Sequence, residues 1–318
     1  MKDLVIGIDI GGTFTKFGFV DREGNFYAKG TAPTDIFDNV DDYLINLVKE
    51  LQQAEQGIGV PYRIIGVGIG APNANYHKGT IENAPNLKWK GIIYFGELFR
   101  KYYDAPVKLT NDANAAALGE MIYGGARGMK DFIMITLGTG LGSGIVVNGD
   151  LVYGHDGFAG ELGHVNVLKN GRRCGCGNYG CLETYVSAPG IKRTVFELLA
   201  SDHEGSALAD YSFNELNSEM IYEAAIQNDP VALKAFDLTG KILGTKLADS
   251  VAHTSPEAIF LFGGLAKSGR YIFEPTKKYM EESMMGLFKN KVAILPSGLM
   301  DKNAAVLGAG ALIWKDQE

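Results

Sequence analysis

Leu4-Val-Ile-Gly-Ile-Asp9-Ile-Gly11-Gly12-Thr13-Phe-Thr15-Lys16-Phe-Gly-Phe-Val20 decides how the chain is read. Two apolar runs rich in β-branched and aromatic residues flank a Gly/Thr turn, the pattern of a β-hairpin. The same layout returns at Phe132: Ile-Met-Ile-Thr-Leu, then Gly138-Thr139-Gly140-Leu141-Gly142-Ser143-Gly144, then Ile-Val-Val. Setting Gly11 on Gly138 sets Val5 on Phe132 and Val20 on Val147, with both glycine turns in register. One such recurrence at long interval points to two similarly folded halves rather than a short-period solenoid. The alternative is a coincidence between two Gly-rich hairpins.

Around the hairpins, apolar residues keep helical or strand period. Val40, Leu44, Leu47, Leu51 and Ala54 fall on one face of an expected helix over residues 38–56. Strands are expected over 63–70 and 107–110, and Asn111-Asp112 then opens an Ala-rich helix over 113–121 that stops at Gly124-Gly125. Helices follow over 191–200, 214–226 and 230–252. A strand over 258–262 ends at Gly263-Gly264, and a helix over 304–314 closes the chain. Strands and helices alternate throughout, so the class is α/β. The break between halves is expected near Thr110, giving domains of 1–110 and 111–302. The last helix, about 303–318, is expected to return to the first domain.

A length of 318 residues exceeds what one hydrophobic core usually organises, which agrees with two domains. Hydrophobic residues at 46% and charged residues at 21% exclude a disordered chain. No run of eighteen apolar residues occurs, so no membrane partner is expected. Met1-Lys2-Asp3 leads straight into a strand-like run without a secretory h-region, so the expected compartment is the cytoplasm. A net charge of -7 argues against sequence-independent nucleic-acid binding. The 42 glycines are about twice the usual share. Many sit beside β-branched runs, where the backbone turns sharply or approaches a ligand.

The first glycine turn has the parts of a phosphate cradle. Gly11 and Gly12 let backbone N–H groups point at an anion, Thr13 and Thr15 offer hydroxyls, and Lys16 adds charge. Asp9, closing a buried-looking strand, could hold the hydration shell of Mg²⁺. The bland reading is a tight hairpin whose Asp9 bonds the turn backbone. The second turn, Gly138-Thr139-Gly140, shifts the balance, because two facing cradles can grip one nucleotide from two domains. Neither is a Walker A loop, since Gly240-Lys241 lacks the upstream glycine. The literal G-x-G-x-x-G at Gly175–Gly180 sits among cysteines and is no dinucleotide fingerprint.

His164 is followed by Cys174-Gly-Cys176-Gly-Asn-Tyr-Gly-Cys181-Leu-Glu183. An odd number of cysteines packed into eight residues makes a poor disulfide framework. Three thiolates and one imidazole supply a closed, structural zinc site. Three buried thiols are the alternative, and His155 is a weaker fourth-ligand candidate. Glu161 and Glu183 flank this loop, where fixed carboxylates can accept bonds from several sugar hydroxyls; for Glu161 alone, a solvated acid is the bland reading. Asp112 has two readings as well. It is a helix N-cap, or a base taking the proton of an attacking hydroxyl; the junction alone favours the cap.

Together these residues resemble the ROK family (repressors, open reading frames and kinases) within the hexokinase and actin-like ATPase superfamily. The resemblance runs from Asp9 to the closing helix, and the stretch from His164 through Glu183 is its most specific part. It implies two actin-like, ribonuclease H-like domains with a cleft between them, and phosphorylation of a hexose by ATP with Mg²⁺, glucose and its 6-hydroxyl foremost. Asp9, Gly11, Gly12 and Thr13 look like the first phosphate motif, Gly138-Thr139-Gly140 like the second, and Gly263-Gly264 like the adenosine motif. Asp112 falls where the family places its catalytic base, beside Asn111 as a sugar contact. Glu161, His164 and Glu183 match further sugar-binding positions, with His164 serving sugar and zinc through different ring nitrogens. Asn86 resembles the hydroxyl-binding asparagine of bacterial glucokinases. Ala71-Pro72-Asn73-Ala74 departs from the glycine-rich sugar loop often seen there, which leaves other hexoses open: fructose, N-acetylglucosamine or N-acetylmannosamine. A sugar-sensing regulator and an actin-like structural ATPase are the other classes. Some relatives carry an N-terminal helix-turn-helix, for which the first dozen residues leave no room. The family also implies a homo-oligomer, dimer or tetramer.

Overall fold

The computed structural model describes residues 1–201, 205–300, 303–315 and 317, and divides them into two compact units. The first unit comprises residues 1–129, 151–159 and 298–318; the second comprises 130–150 and 160–297. Asp202, His203 and Glu204, which open the polar stretch 202–217, lie outside the described residues.

In the first unit the elements run β1 (Lys2–Ile10), β2 (Phe14–Val20), β3 (Phe26–Pro33), α1 (Val40–Glu55) and β4 (Tyr62–Gly70). Three short strands follow, β5 (Ala74–Asn75), β6 (Thr80–Glu82) and β7 (Ile92–Ile93), then α2 (Phe95–Arg100), β8 (Val107–Thr110) and α3 (Asp112–Tyr123). The main sheet has the order β3-β2-β1-β4-β8, with β1 antiparallel to β2 and parallel to β4. Both faces of this sheet are covered, so its strands read as continuous apolar runs. One face packs on α1 through buried Tyr43, Leu44, Leu47 and Leu51, which join Leu4, Ile6, Ile8 and Phe17 in one core. Asn39 caps α1 by accepting from the Asp42 N–H at 2.9 Å.

The second unit repeats the plan. Its elements are β9 (Phe132–Leu137), β10 (Leu141–Val147), β11 (Asp150–Leu151), α4 (Ala188–Ser201), α5 (Ser218–Ile226), α6 (Pro230–Thr254), β12 (Ala258–Phe262), α7 (Arg270–Ser283) and β13 (Ala293–Pro296). Its sheet order is β11-β10-β9-β12-β13, with β9 antiparallel to β10 and parallel to β12. The two hairpins β1–β2 and β9–β10 therefore head two sheets of the same topology, which is the duplication legible in the glycine turns.

The closing helix α8 (Ala304–Lys315) packs on β1 and β4 of the first unit. Contact is so close that a methyl group on Gly7 or Gly68 would run into the α8 carbonyls of Val306 or Ala309. The expected break near Thr110 needs correction. Helix α3 stays with the first unit because its small residues meet α8, with a methyl on Gly119 falling 3.0 Å from the Gly308 Cα. The chain leaves the first unit only after Met129. No helix among the described residues is long and apolar enough to cross a membrane.

Candidate active site

In the first unit, parallel pairing of β1, β4 and β8 gathers their carboxyl ends at one edge, where ligands of open α/β sheets bind. Asp9 pairs with Gly70, and Gly70 with Thr110, so Asp9 and the lead into α3 share a single row. Beyond Thr110 the cap is Asn111, whose Oδ1 accepts from the Asn114 N–H at 2.7 Å. Asp112 is the first residue of the helix and not its cap; its Oδ1 accepts from the adjacent Ala113 N–H at 2.9 Å. Water reaches the Asp112 side chain from outside. Protein packed around its other sides nevertheless pushes the carboxyl above the ordinary aspartate range. The Asp9 carboxyl is pushed up to about 6, first by burial and then by the Asp112 charge, with Lys16 opposing. Lys16 faces Asp9 directly across the hairpin.

The first glycine turn is closed by the Gly11 N–H donating to the Phe14 carbonyl at 3.1 Å, and Thr13 stands exposed beside it. Asn86 lies against the turn: a methyl on Gly12 would sit 3.0 Å from the Asn86 carbonyl oxygen. Thr15 does not match the expectation of a phosphate-facing hydroxyl. Strand alternation turns it inward, and its buried hydroxyl is shared with Thr34 at 2.9 Å and Tyr43 at 2.6 Å.

In the second unit, the turn Gly138-Thr139-Gly140 joins β9 to β10, and the Gly138 N–H donates to the Gly140 carbonyl at 3.0 Å. Gly263 follows β12 with φ +102°, a conformation that a side chain would strain, and a methyl there would also collide with the Leu137 backbone. This close approach brings Gly263 and Gly264 to the end of β9 where the second turn begins.

His164, Cys174, Cys176 and Cys181 offer ligand atoms that all lie within 4.8 Å of one another. Tetrahedral zinc with bonds of about 2.3 Å to sulfur and about 2.0 Å to nitrogen needs S···S near 3.8 Å and S···N near 3.6 Å. The Cys176 and Cys181 sulfurs are 3.7 Å apart, and the Cys174 sulfur is 3.6 Å from His164 Nδ1. The donor set therefore fits zinc in both chemistry and spacing. His155, exposed on the 151–159 segment of the first unit, is not among the clustered ligands. With Nδ1 toward the thiols, His164 directs Nε2 to within 4.0 Å of the Glu161 carboxylate. Glu183 brings Oε1 to 3.7 Å from His164 Nδ1 and 3.0 Å from the Cys174 sulfur, while its Oε2 lies against Gly140. One cluster thus collects Glu161, His164 and Glu183 beside the second glycine turn.

Arg172 holds this loop to α4, and nothing in its spacing announces it. Its guanidinium donates to the Thr184 and Gly190 carbonyls at 2.7 and 2.9 Å, pairs with Glu197 at 2.7 Å, and stacks 4.4 Å from the Tyr185 ring centroid.

A family model described as ROK family matches residues 5–316. The chain belongs to the ROK family. It is 34% identical to a glucokinase of Streptomyces coelicolor over 314 residues, covering 97% of each protein. The crystal structure of a ROK family glucokinase from Streptomyces griseus, in complex with glucose and AMPPNP, superposes with a TM-score of 0.82 at 33% identity. That alignment covers 98% of this chain and 99% of the other. A xylose repressor of Bacillus subtilis is 27% identical over 97% of this chain and 76% of its own length. The two units accordingly share the actin-like ATPase architecture of ROK sugar kinases.

Proposed function

We propose that the protein is an ATP-dependent hexokinase of the ROK type, a glucokinase that transfers the γ-phosphate of ATP to the 6-hydroxyl of glucose. The observation that carries this reading is Asp112: a carboxylate released from capping by Asn111, raised in pKa, open to solvent, and sharing its sheet edge with Asp9. Full-length similarity to glucokinases supports it.

Asp112 accepts the proton of the sugar hydroxyl as that oxygen attacks the γ-phosphorus in line. A raised pKa makes it a stronger base than an ordinary aspartate. Asn111, with its Oδ1 spent on the cap, offers the sugar its amide N–H groups. Asn86, Glu161, His164 Nε2 and Glu183 complete the partners for the remaining hydroxyls. Backbone N–H groups of the two glycine turns, with Thr13, Lys16 and Thr139, take the phosphates, and Gly263-Gly264 leave room for the adenosine. Asp9 would hold Mg²⁺, whose chemistry would be to offset negative charge on the transferred phosphoryl group. His164, Cys174, Cys176 and Cys181 would hold zinc, which would stiffen the loop that carries the sugar-binding carboxylates.

Coupled ADP release over a panel of hexoses tests the reading, with glucose expected to give the highest kcat/KM. Asp112→Asn should lower kcat ~10²-fold or more while glucose binding stays measurable. Near-normal turnover in that variant removes Asp112 as base. Sugar binding without ADP release in the wild type would favour a regulator, a class present among the relatives.

A further inference from the structure

Beside the second glycine turn the second unit holds an open pocket of about 100 Å³, smaller than pockets that take drug-sized molecules. Its walls include Thr139 at the tip of the turn, Arg173 from the cysteine loop, Arg193 from α4, and Glu183. Arg172 and Arg173 are adjacent but have different fates. Arg172 spends its donors on α4 and the loop backbone, whereas the Arg173 and Arg193 guanidinium groups have no hydrogen-bond or ion-pair partner among the described residues. Two uncommitted guanidinium groups on one small pocket repel each other, and a bound anion would remove that cost.

The N-terminus of α4 also borders the pocket, but its N–H groups are already taken. The Ala188 N–H donates to the Gly138 carbonyl at 2.9 Å, the Gly190 N–H to Ser187 Oγ at 3.0 Å, and Pro189 has none. Direct donors therefore come from the two arginines and the Thr139 hydroxyl. Glu183 contributes one negative charge to the wall, so the lining keeps a net charge of plus one. A volume of this size suits a single phosphate group rather than a whole nucleotide.

We infer that Arg173, Arg193 and Thr139 form a phosphate subsite contiguous with the second glycine turn, gripping a phosphate group of the phosphoryl donor. Guanidinium groups suit this task because their planar fork can bind two phosphate oxygens at once. The inference rests on the kinase reading, since it assigns the anion to that reaction's donor. The same chemistry would bind free inorganic phosphate.

The test uses the full chain and the variants Arg173→Gln, Arg193→Gln, Arg193→Lys and the double glutamine variant. Steady-state kinetics at saturating glucose is combined with calorimetric titration of ADP, tripolyphosphate and inorganic phosphate. Each glutamine variant should raise the KM for ATP about tenfold and weaken tripolyphosphate binding to match, with kcat and the KM for glucose within about threefold. Arg193→Lys should recover part of the loss. Weakened binding of inorganic phosphate with an unchanged KM for ATP also supports the subsite and assigns it to the free anion. An unchanged melting temperature shows that the variants fold. If the double variant keeps the ATP KM and all three affinities within twofold of wild type, the inference fails. A wild type that binds ADP but phosphorylates no hexose would instead sink the kinase reading, with the variant titrations still deciding the pocket.

Discussion

Asp9 has a carboxyl raised to about 6 because burial disfavours its charge and Asp112 adds repulsion that Lys16 only partly offsets. A carboxyl whose folded pKa lies above its unfolded value binds its proton more tightly in the folded chain. Its stabilising contribution is therefore complete below about pH 4 and lost as pH rises through about 6. Asp9→Asn keeps the shape and removes the charge. It should stabilise the protein by about 2 kcal/mol at pH 8, after discounting for partial exposure, and by little at pH 4. Thermal melts at both values check this; an equal change at the two pH values would show that charge is not the cause. At this scale the sequence named the residue types but not their duties. Asn111 and Asp112 were both visible at a strand-to-helix junction, yet which one capped the helix depended on backbone angles. Thr15 looked like a ligand of the turn until strand alternation sent its hydroxyl to Thr34 and Tyr43.

Elements with strong periodicity were legible, and elements defined by a neighbour were not. β12 falls on the expected residues 258–262, and α6 extends the expected 230–252 by two residues. Helix α7 was missed because Pro275 sits inside it. It forms against α6, where a methyl on Gly240 would lie 2.7 Å from the Pro275 ring and one on Gly244 would meet the Thr276 carbonyl. Those glycines cut the groove that accepts α7, an arrangement no local pattern signals. The cysteine loop is the opposite case, since three thiols within eight residues need no distant partner to be noticed. Cys176→Ser should abolish zinc binding at the proposed site and raise the KM for glucose about tenfold or more, because Glu183 and His164 would lose their fixed positions. Elemental analysis beside kinetics checks this. A wild type that purifies metal-free with full glucose affinity would remove the zinc assignment.

Over the whole molecule, the chain crosses between its units more often than the sequence suggested. Glu120, buried at the end of α3, marks where this is controlled. Its Oε1 accepts from the Gly125 N–H at 2.6 Å, just before the chain departs, and from the Gly298 N–H at 2.7 Å, where the chain returns. Glu120→Ala takes the shared acceptor from the Gly125 and Gly298 N–H groups, which water can partly replace because both glycines are exposed, and should cost about 1–3 kcal/mol. Glu120→Gln retains an acceptor oxygen and should cost less. A denaturant titration of both variants checks the order, and equal losses would mean that packing, not the shared acceptor, matters. By itself the sequence determined the α/β class, the duplicated hairpin with its two glycine turns and the cysteine-rich loop, because each is written in local spacing. Only the tertiary structure decided that α3 belongs with α8, that Thr15 faces inward, that Asn111 is the cap, and that Arg173 and Arg193 share a pocket. Each of those depends on which residues distant in the chain come within a few ångströms, and close packing sets that for the chain as a whole.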